Sequence, residues 1–591
     1  MTENGRIFLG TTALSEFWDS SLPIFFLGDW CLRYDQRGQW KQGLSCDVLE
    51  YPWNDPEQMF KAKKYCDEAY EVLFRQLVEF LNKTHGVDHG LRYWQVILGE
   101  WLWRYVQIFY DRYACLKRAL DLRTGLQTIL LDESSYSCPT DNAEFMEFCN
   151  LDIYNLQLYS QILRAMGLEY PSRPWEDVNN KALPFKRHFK EAVNDSLAVL
   201  KSKSSRRMSN RAVAICAIAQ SLLGATRLDE TDVFRPTRLF FRKRMPMLKP
   251  DCDLRRHFFR MKGADEFQQI CLNTLEYNFP LAFLEGYDKL SKEVCGRITQ
   301  VPSVIIAAVD WRFDTRAAFY IAQAAEKGAK IIGLQHGGGY GIFEIDSMFD
   351  QELKVVDKFI SWGWTQFDNP QIVPLPQPGL SREKMLRSTA KIQTFLFVAS
   401  THSRYHNIFQ SSPLGPQYKA YIQNQAAFFL ALPEQIKNMF LVRLYPAELG
   451  WYNRSRLEEA VPGLRYSDGK RKFLEEAKGS RLIVCDNNQT TYLQSLGLNI
   501  PSVIFWDENV WGICEAAKPF FQELKDVGVF HGTPHSAARF INDNHNRIEE
   551  WWFSAEVQNV VNKFRINYCR TSDNWKNEWY QAIRQEVINA N

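Results

Sequence analysis

Short apolar runs and amphipathic stretches alternate near the start of the 591-residue chain and again through much of its second half. The stretch 316–327 has apolar residues at helical spacing and lies between two apolar runs, as in the strand–helix–strand units of parallel sheets. The pattern predicts an α/β fold whose binding loops follow the carboxyl ends of strands. The runs predicted as strands are 6–9, 24–27, 237–242, 304–309, 331–334, 358–362, 394–399, 440–444, 482–485 and 502–505.

Residues from about 55 to 235 have a different pattern. Apolar side chains recur there every three or four residues over long stretches, which predicts a large helical insertion in the first α/β domain. A further helix is predicted from about Leu14, directly after the first strand. The helices predicted in the insertion span 57–83, 91–124, 142–166, 185–201 and 210–223.

A Pro-rich segment at 369–380 separates two α/β series and predicts a domain boundary. We expect a first Rossmann-like domain over 1–375 and a second over 390–545. Residues 546–591 are predicted to be helical and to pack back on the first domain. The expected fold is therefore α/β, with two Rossmann-like domains that face a cleft.

Composition excludes several classes of function. The formal net charge of +2 indicates no nucleic-acid partner. The 13 cysteines form no CxxC pair, which argues against zinc and disulfides and favours a reducing cytoplasm. No apolar stretch reaches 18 residues, so we expect a soluble chain that can still associate with the inner face of a membrane. The hydrolase, nucleotide triphosphatase and dinucleotide motifs GxSxG, GxxxxGK[ST] and GxGxxG are absent.

A Gly-rich segment follows the strand at 331–334. It reads Gln335-His336-Gly337-Gly338-Gly339-Tyr340-Gly341. Glycines let main-chain N–H groups approach a ligand closely, and a polar side chain at a strand's carboxyl end lies where α/β sheets bind ligands. The alternative interpretation is a tight turn that holds a hydrogen-bonded histidine.

A second polar turn follows the strand at 482–485. Asn487, Asn488, Thr490 and Thr491 precede a short helix that Gly497 closes. The free N–H groups of a helix N-terminus, with hydroxyl groups beside them, suit a phosphate. The alternative interpretation is ordinary capping of a helix. Arg443, which ends another strand of this series, would add a fixed positive charge.

The segment 484–503 resembles the donor-binding element of two-domain GT-B glycosyltransferases. More specifically, the chain resembles a family of transferases encoded in bacterial surface-carbohydrate gene clusters, and it is distantly similar to capsule transferases that use CMP-activated ulosonic acids and to CDP-glycerol polymerases. The matching residues are Leu9-Gly10-Thr11-Thr12 with Glu16 and Trp18, Leu27-Gly28-Asp29-Trp30-Cys31, Gly333-Leu334-Gln335-His336-Gly337-Gly338 and Tyr340-Gly341.

The resemblance implies a glycosyltransferase. Because no DxD motif adjoins a strand and no acidic or Cys/His cluster has ligand spacing, we expect it to work without a metal or other cofactor, and the cysteine usage favours the cytoplasm. Its expected donor is a nonulosonic or ulosonic acid carried by CMP, and its expected acceptor is a surface glycan, glycolipid or glycoprotein. Two alternatives stay open: transfer of an alditol phosphate from a CDP-alditol, and carbohydrate binding without catalysis.

Each predicted site residue follows a predicted strand. The candidate catalytic groups are His336, Glu16 and Asp310, and for both carboxylates a capping or ion-pair role is the alternative. The candidate substrate-binding residues are Thr11, Thr12, Gln335, Gly337, Gly338 and Tyr340. The candidate nucleotide-binding residues are Arg443, Asn487, Asn488, Thr490 and Thr491.

Overall fold

A computed structural model describes most of the chain: residues 6–40, 46–175, 213–216, 219, 237–239, 248–296, 298, 300–366, 369–383, 385 and 392–590. The α/β class predicted from the sequence is confirmed. The described strands form one four-stranded sheet, two six-stranded sheets and one two-stranded pair. Neighbouring strands run parallel throughout these sheets.

The first sheet consists of β1 (Ile7–Gly10), β2 (Ile24–Phe26), β3 (Cys46–Val48) and β4 (Leu126–Gln127), in the order β3-β2-β1-β4. The sequence assigns β1 and β2 to the first Rossmann-like domain. The structure corrects this, because β1 and β2 pair with β3 and β4 in a separate sheet. A short apolar run does not indicate with which distant strand it will pair. The helix predicted from Leu14 is a single 3₁₀ turn, Ser15–Phe17.

Long helices surround this sheet. The first, Pro56–His85, starts where the Asp55 side chain accepts a hydrogen bond from Glu57 N and ends at Gly86, whose φ is 63°. Residues 91–122 form one continuous helical run that includes a π-helical segment. The single helix predicted for 142–166 is two helices in the structure. The strands of a two-stranded pair flank these two helices in sequence, β5 (Leu130–Leu131) before the first and β6 (Ser172–Arg173) after the second. The other helices are Leu91–Trp94, Gln95–Gly99 (π), Glu100–Leu122, Asn142–Phe148 and Asp152–Ala165.

The first six-stranded sheet has the order β12-β11-β10-β9-β7-β8. β7 corrects the helix predicted at 210–223, and the helix predicted at 185–201 lies outside the described residues. Pro374 ends the edge strand, where a residue without an N–H group is tolerated. The strands are β7 (Val213–Cys216), β8 (Thr237–Leu239), β9 (Val304–Ala307), β10 (Lys330–Leu334), β11 (Lys358–Ser361) and β12 (Ile372–Pro374). The helices in this part are Cys252–Arg255, Glu266–Asn278, Tyr287–Cys295, Asp310–Phe313, Thr315–Glu326, Ser347–Val355 and Pro378–Ser381.

The second six-stranded sheet has the order β15-β14-β13-β16-β17-β18, which is the 3-2-1-4-5-6 order of a Rossmann fold. Its strands are β13 (Phe395–Val398), β14 (Phe440–Arg443), β15 (Arg465–Tyr466), β16 (Leu482–Cys485), β17 (Ser502–Phe505) and β18 (Phe530–His531). The order reverses between β13 and β16, and ligands bind at such switch points. The helices in this part are Tyr418–Leu430, Glu434–Lys437, Asn453–Ala460, Phe473–Lys478, Thr490–Gly497, Lys518–Asp526 and Pro534–Asn544.

Three helices end the chain: Ile548–Trp552, Ala555–Tyr568 and Trp575–Ala590. The last of them returns to the first six-stranded sheet. Its buried residues Trp575, Trp579 and Ile583 share one hydrophobic cluster with residues of β9, β10 and β11. The Trp579 indole also donates to the carbonyl oxygen of Pro376 at 2.8 Å.

Candidate functional site

Gln335 holds the turn that follows β10. Its Oε1 accepts hydrogen bonds from the backbone N–H of Trp362 at 2.8 Å and from the indole of Trp364 at 2.9 Å. Its Nε2 donates to the carbonyl oxygen of Gly337 at 2.9 Å. Because the side chain is buried and bonded at both ends, Gln335 shapes the loop here and does not offer its amide to a substrate.

His336 lies half-buried beside Tyr340. The Tyr340 hydroxyl is 3.0 Å from Nδ1 of the imidazole and 2.8 Å from Oε1 of Glu352. Burial, helped by the positive charge of Arg312, lowers the pKa of His336 to about 3. The imidazole is therefore neutral at pH 7, with one N–H group and one unprotonated ring nitrogen, and the lowered pKa makes that nitrogen a weaker base than in an ordinary histidine.

A series of buried charged side chains continues from Tyr340. Glu352 lies 3.3 Å from Arg312, whose Nε lies 2.8 Å from Glu100. Glu100 also pairs with Arg104 at 2.7 Å. Burial raises the pKa of Glu352 to about 8, although Arg312 acts in the opposite direction. These groups link the His336 loop to the helix Glu100–Leu122.

The two turns predicted from the sequence, the Gly-rich turn after β10 and the polar turn after β16, contact each other directly. The backbone N–H of Gly338 donates to Oγ1 of Thr490 at 2.8 Å. A side chain at Gly338 would come within 2.7 Å of the backbone of Gln489 and Thr490, so glycine is required for this approach. The structure thus brings the carboxyl ends of β10 and β16 together at one interface between the six-stranded sheets.

The other residues of the second turn bond mainly within it. Asn487 donates to the carbonyl oxygen of Val398 at 3.2 Å, and the hydroxyl of Tyr492 donates to Asn488 at 2.9 Å. The Asn488 Nδ2 is buried with no hydrogen-bond partner in the described part of the chain. A weak contact joins Thr491 to the thiol of Cys485 at 3.7 Å.

A cavity of about 320 Å³ opens beside this turn, on the β17 side of the switch point. Asp486 forms part of its wall and accepts hydrogen bonds from Tyr421 at 2.6 Å and from Gln425 at 2.7 Å. Burial raises the pKa of Asp486 to about 6. Aromatic rings and a helix N-terminus complete the cavity, whose lining includes Asn424, Trp506, Trp511 and Gly532 to Pro534. No motif in the sequence indicates this cavity.

Four predicted site residues make their contacts outside the His336 loop. Thr11 and Thr12 are buried at the carboxyl end of β1, where their carbonyl oxygens accept from the indoles of Trp30 and Trp18. Glu16 is exposed, and its carbonyl oxygen binds Arg173. Arg443 is the last residue of β14, where it pairs with Glu476 at 2.6 Å. β13 separates β14 from β16, so Arg443 does not adjoin the Asn487 turn.

Asp310 follows β9 and is buried, and one of its carboxylate oxygens accepts from the backbone N–H of Ala308 at 3.0 Å. That bond is consistent with the alternative interpretation, in which the carboxylate organises its own turn.

The segment after β13 connects all three large sheets and was missed as a functional element. Arg404 donates to the carbonyl oxygen of Trp30 and pairs with Asp152 near β1. The backbone N–H of Phe409 donates to Gln107 at 2.6 Å, and a β-bridge joins Gln410 to Asp346. The polar run Ser400-Thr401-His402, directly after an apolar strand, is the sequence pattern that could have identified it.

Within the described residues, no group of three or more His, Cys, Asp or Glu side chains is placed to hold a metal ion. In the same part of the chain, no helix has both the length and the apolar character that crossing a membrane requires.

A model of the LIC12162 family of transferases matches residues 7–583. No curated protein is similar enough in sequence to match the chain. Three solved structures that resemble the chain have TM-scores below 0.5.

A candidate UDP-N-acetylglucosamine 2-epimerase from Listeria monocytogenes has 10% identity and a TM-score of 0.38, over 65% of this chain and 98% of that one. The spinosyn rhamnosyltransferase SpnG, complexed with spinosyn aglycone, has 10% identity and a TM-score of 0.30, over 77% and 99%. WaaG, a glycosyltransferase involved in lipopolysaccharide biosynthesis, has 11% identity and a TM-score of 0.27, over 51% and 95%.

Proposed function

Because the chain belongs to the LIC12162 family of transferases, we propose that it transfers a glycosyl group from a nucleotide-sugar donor to a hydroxyl group of an acceptor. One observation carries the proposal: the carboxyl ends of β10 and β16 meet through the bond between Gly338 and Thr490. Both six-stranded sheets therefore present their ligand-binding edges to the same space.

The proposed donor site is the 320 Å³ cavity beside Asp486. Trp506 and Trp511 supply aromatic surface for a nucleobase, and the Asp486 carboxylate can accept from a base N–H group. The N-terminus of the helix Pro534–Asn544 borders the same cavity, where the positive end of the helix dipole suits a phosphate. This assignment replaces Arg443, whose charge Glu476 already neutralises.

His336 is the proposed base. The acceptor hydroxyl oxygen attacks the anomeric carbon, the bond from that carbon to the donor phosphate oxygen breaks, and the nucleotide leaves with the electron pair. The proton of the acceptor passes to the neutral imidazole, which Tyr340 orients. Backbone N–H groups and the hydroxyl groups of Thr490 and Thr491 are the proposed hydrogen-bond donors to the leaving phosphate.

The sequence resemblance supports a finer version of this function. In it the donor is a nonulosonic or ulosonic acid carried by CMP, the acceptor is a bacterial surface glycan, glycolipid or glycoprotein, and the reaction takes place in the cytoplasm or at the inner membrane surface.

Nucleotide binding to the full chain tests the proposal. A thermal-shift screen against CMP, CDP, UDP and GDP should give stabilisation by one of them, followed by donor turnover measured as release of that nucleotide. Asn424→Phe fills the cavity and should weaken binding about tenfold or more, while Gln423→Phe, on the exposed neighbouring position, should not. Absence of any nucleotide effect would instead favour carbohydrate binding without catalysis.

A further inference from the structure

A second cavity, of about 240 Å³, lies between the helices Glu100–Leu122 and Asn142–Phe148. Phe313, the last residue of the helix Asp310–Phe313, and Asn407, from the segment after β13, also line it. It therefore lies between the two six-stranded sheets, like the His336 loop. The proposed function assigns no role to this cavity.

Arg104 is the basic group of the cavity wall. Only 8% of the residue is exposed. Its Nε donates to Glu100 and its Nη2 contacts the sulfur of Met348 at 3.8 Å, but its Nη1 has no hydrogen-bond partner within the described chain. The Arg104 guanidinium is thus paired with Glu100 on one edge and lines the cavity, where its remaining N–H groups can donate to a ligand.

The charge of Arg104 is incompletely balanced. Glu100 is shared with Arg312, so two guanidinium groups face one carboxylate. Glu352 is the second carboxylate near Arg312, and burial raises its pKa to about 8. Glu147, which also lines the cavity, has an interaction of its own. The site is therefore suited to a ligand that brings a negative charge.

The remaining polar atoms suit hydroxyl groups. Asn407 donates through Nδ2 to Asn150 at 3.2 Å, while its Oδ1 is buried and accepts no hydrogen bond from the described residues. Because this oxygen has almost no accessible surface, a ligand hydroxyl can donate to it only when the Asn407 amide rotates toward the cavity. Phe313 and Met146 add apolar surface against which the C–H face of a sugar ring can pack. A small apolar cavity with a few oriented polar groups is typical of a specific ligand site.

We propose that this cavity binds an acidic sugar, with the sugar carboxylate paired to the guanidinium of Arg104 and a hydroxyl group donating to Asn407. Guanidinium and carboxylate groups form strong, charge-assisted hydrogen bonds. The inference rests on the proposed function for the identity of the ligand as a glycosyl unit. A series of contacts connects the cavity wall to His336 through Arg104, Glu100, Arg312, Glu352 and Tyr340.

Ligand-observed NMR titration of the full chain tests the proposal with two probes, N-acetylneuraminic acid and glucuronic acid, each beside its neutral methyl ester. The acid of at least one pair should bind about tenfold more tightly than its ester, because the ester lacks the charge that pairs with Arg104. Equal binding of acid and ester in both pairs, or no binding of either acid, would overturn the proposal.

Three variants locate the effect. Arg104→Met should bind acid and ester alike, and Arg104→Lys should keep part of the preference. Arg256→Met is the matched control, since Arg256 is an exposed arginine, and it should behave as the unchanged chain. Ala143→Leu fills the cavity without touching a charge and should abolish binding of both forms, so the proposal stays testable if Arg104→Met fails to fold. Wild-type binding by Ala143→Leu would refute it.

The test is separable from that of the proposed function. Acid preference without nucleotide binding would keep the cavity proposal and remove glycosyl transfer. Nucleotide binding and turnover without a preference for the acid would keep the proposed glycosyl transfer and overturn the cavity proposal.

Discussion

At the scale of single residues, the environment of His336 separates a catalytic role from a structural one. His336→Ala should lower kcat by about 10²–10⁴, the usual range for loss of a positioned base. The melting temperature should change little, because the imidazole is half-buried and, among the described residues, its side-chain hydrogen-bond partner is Tyr340. Steady-state kinetics with the nucleotide sugar identified by the screen measure the loss. Near-normal kcat, or a chain that fails to fold, would support the turn interpretation of this histidine.

His406 provides a prediction about acid stability. The residue is 2% exposed, both ring nitrogens lack hydrogen-bond partners in the described chain, and burial lowers its pKa to about 4. The unfolded chain binds a proton near the ordinary pKa of about 6.5, whereas the folded chain does not until about pH 4. Stability contributed by this neutral ring is thus complete above about pH 6.5 and is lost as pH falls toward 4.

We therefore expect His406→Leu to gain stability relative to the unchanged chain as pH falls from 7 to 4.5, by about 2 kcal/mol. Urea unfolding at several pH values measures this difference. His535→Leu, at an exposed histidine, is the control and should show no such trend. A pH-independent difference for His406→Leu would contradict the assignment of a buried neutral ring.

The candidate site could be predicted from sequence only where a motif is local. His336 and Thr490 follow strands in recognisable Gly-rich or polar turns, whereas the bond from Gly338 to Thr490 that joins the two turns depends on how the two sheets pack and could not be predicted. Arg104 and Asp486 could not be found this way, because their importance comes from burial beside cavities built by distant segments. A paired charge such as Arg443 looks the same in sequence as a free one.

At the scale of elements, long apolar runs and capped helices were predictable, and sheet membership was not. The run at 304–309 and the helix at 316–327 match β9 and Thr315–Glu326 closely. Residues 210–223, rich in Ala and Ile, suit either a buried strand or a buried helix, and the strand Val213–Cys216 forms because β8 and β9 flank it. Pairing with distant strands likewise places β1 and β2 in a separate sheet.

The last helix, Trp575–Ala590, gives the prediction at this scale. Trp579 is 2% exposed, packs on the first six-stranded sheet and donates to Pro376. Trp579→Ala should cost about 3–5 kcal/mol of unfolding free energy, as buried Trp truncations do. Arg584→Ala on the exposed face of the same helix is the control. A loss below about 1 kcal/mol in urea unfolding would show that this helix contributes little to the sheet's stability.

At the scale of the whole molecule, the first prediction concerns metals. The sequence contains no cluster of acidic, Cys or His residues with the spacing of metal ligands, so fixed hydrogen-bond donors are expected to stabilise the leaving phosphate. Turnover in excess EDTA should equal turnover with Mg²⁺. Loss of activity in EDTA that Mg²⁺ restores would contradict a metal-independent reaction.

The closeness of the two six-stranded sheets gives the last prediction. A Cβ atom on Gly338 would lie 2.5–2.7 Å from the backbone of Gln489 and Thr490, whereas one on Gly337 would meet Thr490 Oγ1 at 3.3 Å. Gly338→Ala must therefore push two backbones apart, and Gly337→Ala needs only a small shift of one side chain.

Displacement of reacting groups by about 1 Å can cost about 10²-fold in rate. We expect that loss of kcat for Gly338→Ala, with a larger radius of gyration in small-angle X-ray scattering and folding intact by circular dichroism. Gly337→Ala should stay near the unchanged chain in both measurements. If the two alanine variants behave alike, contact between the sheets at this point does not align the site, and the proposed transfer between them loses its main support.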